Sequence, residues 1–534
     1  MPGSVTPPGG PRRQRAVGHS VLVGAGILLS RIFGLLRQRA LSHYLGLSAQ
    51  ADAFTQAFRI PNILQNLLGE GVLSASFIPV YARLRAEGKD DEAERVASAV
   101  FGLLAVVTAG LVLIGVVAAG PITTLIAPGF HDAKRDLTVR LVRLLFPGAG
   151  VLVLSAWCLG VLNSHRRFLL SYSAPVAWNL AIILTLVLTA GGKDEDAIAL
   201  AAALGSVMGS VLQLAVQVPA VLGLVRQFRP TIDAASSHVR TVLANTGPVV
   251  LGRGVVQISA YVDSIIASLL GNGPVAALQN AQVLYTLPVS LFGMSVSAAE
   301  LPAMSSTIGN LEEIAAQLRA RLSSGLSRIA FFVIPSAAAF LALGDVIAAA
   351  LFQTGRFTSS DSTFVWIILA GSAVGLLAAT MGRLYSSAYY ALRDTRSPLR
   401  FAAIRVALNT ALGLFAALAL PRLLGIDPKW GAAGLTAAAG IAAWVEYLLL
   451  ERGLRARLGE TGIGVARLAR LWGAALVGAG LGVGVQGILP VVHPMWRAVA
   501  VLLPFGMGYL TLTHLLGIPE ARAMVSRVRN VPPG

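Results

Sequence analysis

Six ionisable side chains, Arg31, Arg37, Arg39, Asp52, Arg59 and Glu70, fall between Ser30 and Pro79 in sequence otherwise apolar enough to lie in a bilayer. A charge at membrane depth costs at least about 2.5–3.5 kcal/mol, so such residues face a partner or a wet cavity. Six of them in two neighbouring apolar stretches exceed what packing explains. They read as the lining of a pathway for something polar.

The spacing sharpens this. Arg31 falls near mid-depth of the first stretch, with Arg37 and Arg39 toward its outer end. Arg31 and Arg37 point about 120° apart on a regular helix, so they meet only if the helix bends near Gly34 or the cavity is broad. The alternative for Arg37 and Arg39 is that they snorkel to the outer interface. In the second stretch Asp52, Gln56, Arg59, Asn66 and Glu70 recur at spacings of four, three, seven and four, one polar face of a helix. Pro61 interrupts it and predicts a kink. Internal ion pairs, such as Asp52 with an arginine of the first stretch, are compatible with that reading. Further along, Arg253 and Asp263 stand in a seventh stretch, Glu300 in an eighth, Arg383 in a tenth and Arg405 in an eleventh. Arg253 either pairs with Glu300 or faces a central space. Glu446 and Arg405 are candidates for the membrane interface.

The elements that must hold these residues are membrane spans. Of 534 residues, 55% are hydrophobic and 13% charged, and mean hydropathy is +0.72, the composition of a polytopic all-α membrane protein. About 14 apolar stretches of span length recur, from 18–45 and 51–82 to 466–488 and 495–517. A basic start before Val21 resembles a signal peptide, but the apolar run continues past Arg31 without a small-residue cleavage site; it is an uncleaved first span. The net charge of +17 sits in short loops, which argues for topogenic charge beside anionic lipid and against a nucleic-acid partner. Roughly 25 Lys and Arg flank spans on the side of both termini against roughly 9 opposite, which predicts cytoplasmic termini. The one cysteine, Cys158, excludes an internal disulfide framework. No P-loop, HExxH or nucleophile elbow in strand–turn–helix context appears, so an enzyme is not expected and ATP does not drive the chain directly.

A weak internal repeat adds organisation. Phe58-x-x-Pro61 is echoed by Tyr285-x-x-Pro288, Ser74-Ala75-x-x-Ile78-Pro79 by Ser297-Ala298-x-x-Leu301-Pro302, and the Asn163–Asn179 region by Arg393–Asn409. An offset of about 225–230 residues, near six spans, predicts two lobes in the same membrane orientation with a substrate site between them. The expected divisions are a disordered basic tail at 1–17, a first lobe of six spans at 18–230, and a second lobe beginning at 231–425 whose twelfth span runs to 452. Two extra spans at 453–520 and a tail at 521–534 follow.

The motifs Ser30-Arg31-x-x-Gly34-x-x-Arg37, Asp52-Ala53-Phe54, Phe58-Arg59-x-Pro61-Asn62 and Gly69-Glu70-Gly71-x-x-Ser74 resemble the signature of the MviN/MurJ lipid II flippases. Ala127-Pro128-Gly129-Phe130, Leu162-Asn163-Ser164, Gly247-Pro248-x-x-Leu251-Gly252 and Phe352-Gln353-x-Gly355-Arg356-Phe357-Thr358 extend the likeness through nearly the whole chain. The resemblance implies the multidrug/oligosaccharidyl-lipid/polysaccharide exporter fold, a central cationic cavity, and alternating access that turns the polyprenyl-pyrophosphate lipid II outward across the cytoplasmic membrane. It implies a lipid-tail groove in spans 13 and 14, and cavity roles for Arg31, Arg37, Asp52, Arg59 and Glu70. Arginine suits the bidentate contacts a pyrophosphate needs. This chain has Gln65 where the family commonly carries an arginine, and Gln282-Val283 in place of an Asp-Arg pair; Arg253 is the candidate replacement charge. The departures keep open a different polyprenyl-linked glycan or amphiphile as substrate. A membrane scaffold that recruits cell-wall synthesis proteins is a third reading, against which the polar stripe speaks. Some relatives hold sodium in the second lobe, which points to Asp263 and Asn409 as a candidate cation site; no cofactor is expected, and sodium or the membrane potential is the candidate driving force.

Overall fold

The computed structural model describes residues 11–305, 311–490 and 492–529, and every regular element among them is helical. This follows from the solvent: in hydrocarbon the backbone must satisfy itself, which a helix does within one segment. Among the described residues twelve helical stretches are long and apolar enough to cross a membrane. The two other expected spans fall on α1 (Pro11–Leu45) and α10 (Ser237–Ser268), helices of 35 and 32 residues. α1 begins at Pro11, inside the stretch expected to be an unstructured tail, because proline suits the first turn of a helix and Arg, Gln and Ala propagate it. Residues 1–10 of that expected tail lie outside the described residues.

The chain divides into two compact units, Met1–Leu45 with Ala49–Ser264, and Gly46–Ser48 with Ile265–Gly534, so the division falls within α10. In the first unit α1 is followed by α2 (Ala49–Arg59), α3 (Asn62–Leu68), α4 (Glu70–Ala86), α5 (Asp90–Val117), α6 (Ala119–Ile126), α7 (Asp132–Ser164), α8 (Phe168–Thr189) and α9 (Glu195–Leu224). α7 is its centre and packs on α2, α4, α5 and α9. Phe77, Tyr81, Trp157 and Val161 are buried where α4, α5 and α7 meet. The Trp157 indole donates to the Ala97 carbonyl at 3.2 Å. Where lipid covers the outside, close packing of this kind replaces water exclusion as the force joining helices.

The second unit contains α11 (Pro274–Pro288), α12 (Ser295–Ser305), α13 (Leu311–Ala342), α14 (Gly344–Phe352), α15 (Ser359–Ala391), α16 (Arg396–Leu414), α17 (Leu420–Leu424), α18 (Gly431–Leu458), α19 (Val465–Ile488), α20 (Pro494–Leu515) and α21 (Pro519–Arg529). α15 and α18 approach so closely that a Cβ on Gly375 would overlap the Gly440 backbone. That approach lets Thr436 Oγ1 donate to Ile368 O at 2.8 Å and Trp444 Nε1 to Val374 O at 2.8 Å. α19 and α20 pair with each other and rest on α13 and α14 through Leu343, Val346, Ala479, Val501 and Phe505.

The repeat is visible in the backbone. Pro61 lies at the break between α2 and α3; 227 residues on, Pro288 ends α11 and a π-helical turn, Val289–Met294, follows. Arg166 and Arg393, the same distance apart, both have φ of +59°. Each sits in the same hydrogen-bonded turn: Arg166 N bonds Asn163 O and Arg167 N bonds Leu162 O, while Arg393 N bonds Tyr390 O and Asp394 N bonds Tyr389 O.

Candidate functional site

The expected continuous polar face from Asp52 to Glu70 is corrected by the structure. Pro61 and Gly69 divide this span into α2, α3 and α4, and the polar residues take two different jobs.

The upper part is a stitched interior. Asp52 is wholly buried and its Oδ2 lies 2.8 Å from Lys134 Nζ at the start of α7. Asp52 therefore does not line a cavity, contrary to its expected role; Lys134 of α7 is an ion-pair partner that lies outside the first span. A buried carboxylate is tolerable only when paired and hydrogen-bonded. Lys134 Nζ also stands 4.0 Å from the centre of the Phe130 ring. Gln56, also buried, donates to Ile126 O at 2.9 Å and accepts from Ser264 Oγ at 2.6 Å, which joins α2 to α6 and α10. The Arg59 carbonyl accepts from the Tyr261 hydroxyl at 2.8 Å, and the negative charge of Asp263 acts on the Arg59 guanidinium.

Arg37 is held by aromatic faces. Its guanidinium lies 4.9 Å from the Trp178 ring centre and 5.5 Å from that of Phe58, and Phe58 stacks on Trp178. Such contacts hold a cation without neutralising it. Arg31 is exposed, with no ion pair among the described residues. The Arg253 side chain lies outside the described residues.

The lower part of the span is open. Asn62, Gln65 and Asn66 of α3 and Glu70, Gly71 and Ser74 of α4 line a cavity of about 510 Å³ in the first unit, closed by Leu152, Ser155, Ala156 and Leu159 of α7, Pro175 of α8 and Gln213 of α9. Glu70 is the one predicted site residue in that wall. Behind it Ser155 Oγ donates to Gln217 Oε1 at 2.7 Å and accepts from Gln213 Nε2 at 2.9 Å, while Gln217 Nε2 has no partner among the described residues although the side chain is fully buried. Amides that donate and accept, beside one carboxylate, suit a ligand rich in hydroxyls and amides. The sequence reading missed Ser155, Gln213 and Gln217. Their only signal was the four-residue spacing of the two glutamines inside an apolar span, which by itself does not tell a cavity from a helix contact.

In the second unit Glu300 pairs with Arg321 at 3.5 Å. Arg405 pairs with Glu446 at 3.2 Å. Asn409 is buried in α16, whereas Asp263 belongs to the first unit, with its field on Arg59. Among the described residues no group of three or more His, Cys, Asp or Glu could hold a metal ion.

A family model described as lipid II flippase MurJ matches residues 41–500, which takes in every helix that lines the cavity. The chain belongs to the lipid II flippase MurJ family. A probable lipid II flippase MurJ of Rhizobium meliloti (strain 1021) is 33% identical over 80% of this chain and 78% of its own length. Another, from Rhizobium tropici, is 32% identical over 93% and 90%, and the lipid II flippase MurJ of Burkholderia cenocepacia is 32% identical over 85% and 87%. Among solved structures, a lipid II flippase MurJ in an inward closed conformation superposes with a TM-score of 0.77 at 23% identity, covering 93% of this chain and 98% of that one. An inward-facing multidrug transporter of the MATE family gives 0.62 at 17% identity over 80% and 95%. These likenesses place the all-α, polytopic fold with the MurJ and MATE transporters. As a member of this family with twelve span-length apolar helices among the described residues, the chain is a multi-pass protein of the bacterial inner membrane, a transporter and not an enzyme.

Proposed function

We propose that the protein carries lipid II, the lipid-linked peptidoglycan precursor, from the inner to the outer leaflet of the cytoplasmic membrane by alternating access. The observation that carries this reading is the family match over residues 41–500, combined with an amide-lined cavity sunk among helices whose outer surfaces are apolar. A headgroup made of sugar, peptide and pyrophosphate crosses hydrocarbon only if its hydrogen bonds and charge are matched on the way. In this scheme Arg31, Arg37 and Arg59 supply the cations for the pyrophosphate, Arg253 adds a fourth, and Glu70 with its neighbouring amides holds the polar groups. Asp52 supports them from behind. α19 and α20 receive the polyprenyl tail, and both termini are cytoplasmic, as the excess of arginine on that side requires.

The test is rescue of a bacterial strain depleted of its own flippase. The wild-type chain restores growth and Arg31→Ala, expressed to the same level, does not. Failure of the well-expressed wild type removes lipid II as substrate. An Arg253→Ala variant that transports normally removes that residue from the scheme. A second reading, transport of another polyprenyl-pyrophosphate-linked glycan, is favoured by Gln65 in the cavity wall, where the family resemblance leads to an arginine. Native mass spectrometry of the purified protein separates the two by the mass of the lipid that stays bound.

A further inference from the structure

A second cavity, of about 570 Å³, lies in the first unit at the end of the bundle where α7 gives way to α8 and α9 ends. Arg166 and Arg167 stand at its mouth, both exposed, and its walls are otherwise apolar, including Phe168, Leu169, Pro219 and Leu224. The polar cavity lined by Glu70 shares no residue with it. We propose that this cavity is a docking site for the phosphate headgroup of an anionic glycerophospholipid, with Arg166 and Arg167 as its phosphate ligands.

Three observations carry the proposal. The first is charge: neither arginine has an ion pair among the described residues, and arginine's planar fork is the side chain best matched to phosphate oxygens. The second is the internal repeat. The turn that presents Arg166 and Arg167 is the turn that presents Arg393 and Asp394 in the second unit, with the same φ of +59° and the same pair of backbone bonds. There Asp394 ends its own chemistry locally: it bonds Ser397 through nitrogen and hydroxyl and pairs with Arg457 at 2.8 Å. The turn thus forms with an acidic residue in place of Arg167, so its two adjacent arginines are not what makes it fold. A non-glycine residue held in left-handed conformation is strained, and such strain persists where it aims a side chain usefully.

The third observation selects lipid over a free anion. Leu169 on the cavity wall is 52% exposed and Leu222, next in the chain to the lining residue Gly223, is 46% exposed, so apolar surface adjoins the cavity where the helices meet acyl chains. A free phosphate gains nothing from that wall. α8 also begins at Phe168, which puts the positive end of a 22-residue helix among the lining residues.

The test uses the full-length protein in detergent, titrated with phosphatidylglycerol and, separately, phosphatidylcholine, with bound lipids counted by native mass spectrometry. Each arginine near a membrane contributes about fivefold to anionic lipid binding. Arg166→Gln with Arg167→Gln is therefore expected to weaken the tightest phosphatidylglycerol adduct by about 25-fold and to leave phosphatidylcholine unchanged. A control pair on exposed arginines of the neighbouring loop, Arg226→Gln with Arg229→Gln, makes the same charge change outside the cavity and is expected to shift that adduct far less. Gly223→Phe fills the cavity without touching the arginines, since nothing lies within 4 Å of a Cβ built there; it is expected to lower the same adduct. Equal losses from the two arginine pairs, an unchanged adduct in the Gly223 variant, or displacement of the lipid by millimolar inorganic phosphate would each overturn the proposal.

Discussion

Asp52 and Lys134 show how little a charge's location in sequence says about its task. Both sit in the first unit, with side-chain exposures of 0% and 11%, and their 2.8 Å contact joins α2 to α7. Removing either partner takes from the other a contact in a dry interior, a loss of about 3–5 kcal/mol, whereas removing both loses that contact only once. Asp52→Ala and Lys134→Met are therefore each expected to lower the thermal midpoint of the purified protein sharply, and the double variant is expected to lower it by less than the sum of the two. A loss in the double variant equal to that sum would show that the pair is not the source of the stability. Arg37 makes the opposite point: Trp178 and Phe58 hold the guanidinium, which has no ion pair among the described residues, so its charge is available to an anion.

At the scale of elements, the instructive segment joins α7 to α8. His165 caps α7 and faces Arg85 and Tyr81 of α4. Arg85 only donates, and its Nη1 lies 2.6 Å from Nδ1 and 3.0 Å from Nε2, so the ring faces a cation through nitrogens that can accept; Nε2 also lies 2.9 Å from the Tyr81 hydroxyl. The ring is thus held neutral. Burial first, then the positive charges of Arg85 and Arg167, push its pKa down to about 4, against the smaller opposing pull of Asp90 and Glu94. Because the folded value lies below the unfolded one, the unfolded chain takes up the proton first as pH falls from about 6.5 to about 4, and stability drops over that window. His165→Asn keeps a polar ring-sized group without the titration. The thermal midpoint of the wild type is expected to fall more steeply than that of the variant between pH 6.5 and 4, and parallel profiles would remove His165 as the cause.

The break of the second span belongs to the same scale. Proline at 61 and glycine at 69 divide it, so α2 turns its polar atoms into protein while α3 and α4 turn theirs into a cavity. The kink was readable from Pro61. The partition was not, because an alternating face of polar residues has the same sequence whether water, lysine or a backbone carbonyl lies opposite.

For the whole molecule, the proposed transport needs an energy source, and two are compatible with the chain: a sodium gradient or the membrane potential. Asp263 is a carboxylate that an ion would call on, and its electrostatic contact with Arg59 offers a competing use of its charge. Transport in vesicles held at fixed potential while choline replaces sodium separates the sources. Unchanged transport under choline would leave the potential, and loss of transport would make sodium the coupled ion, in which case Asp263→Asn is expected to abolish the dependence.

The sequence by itself determined the all-α membrane class, the twofold repeat and the crowding of charge around Ser30–Pro79, because each is written in features that depend on neighbours along the chain: apolar run length, turn residues and spacing. The motifs of that same stretch carried the family. What the tertiary structure alone decided is which charges are already satisfied. Asp52 met Lys134 from 82 residues away and Gln56 met Ser264 from 208 residues away, and Glu300 met Arg321 within the second unit. The cost of a buried charge is a property of what surrounds it in space, and no pattern along one helix specifies the helix that will lie across from it.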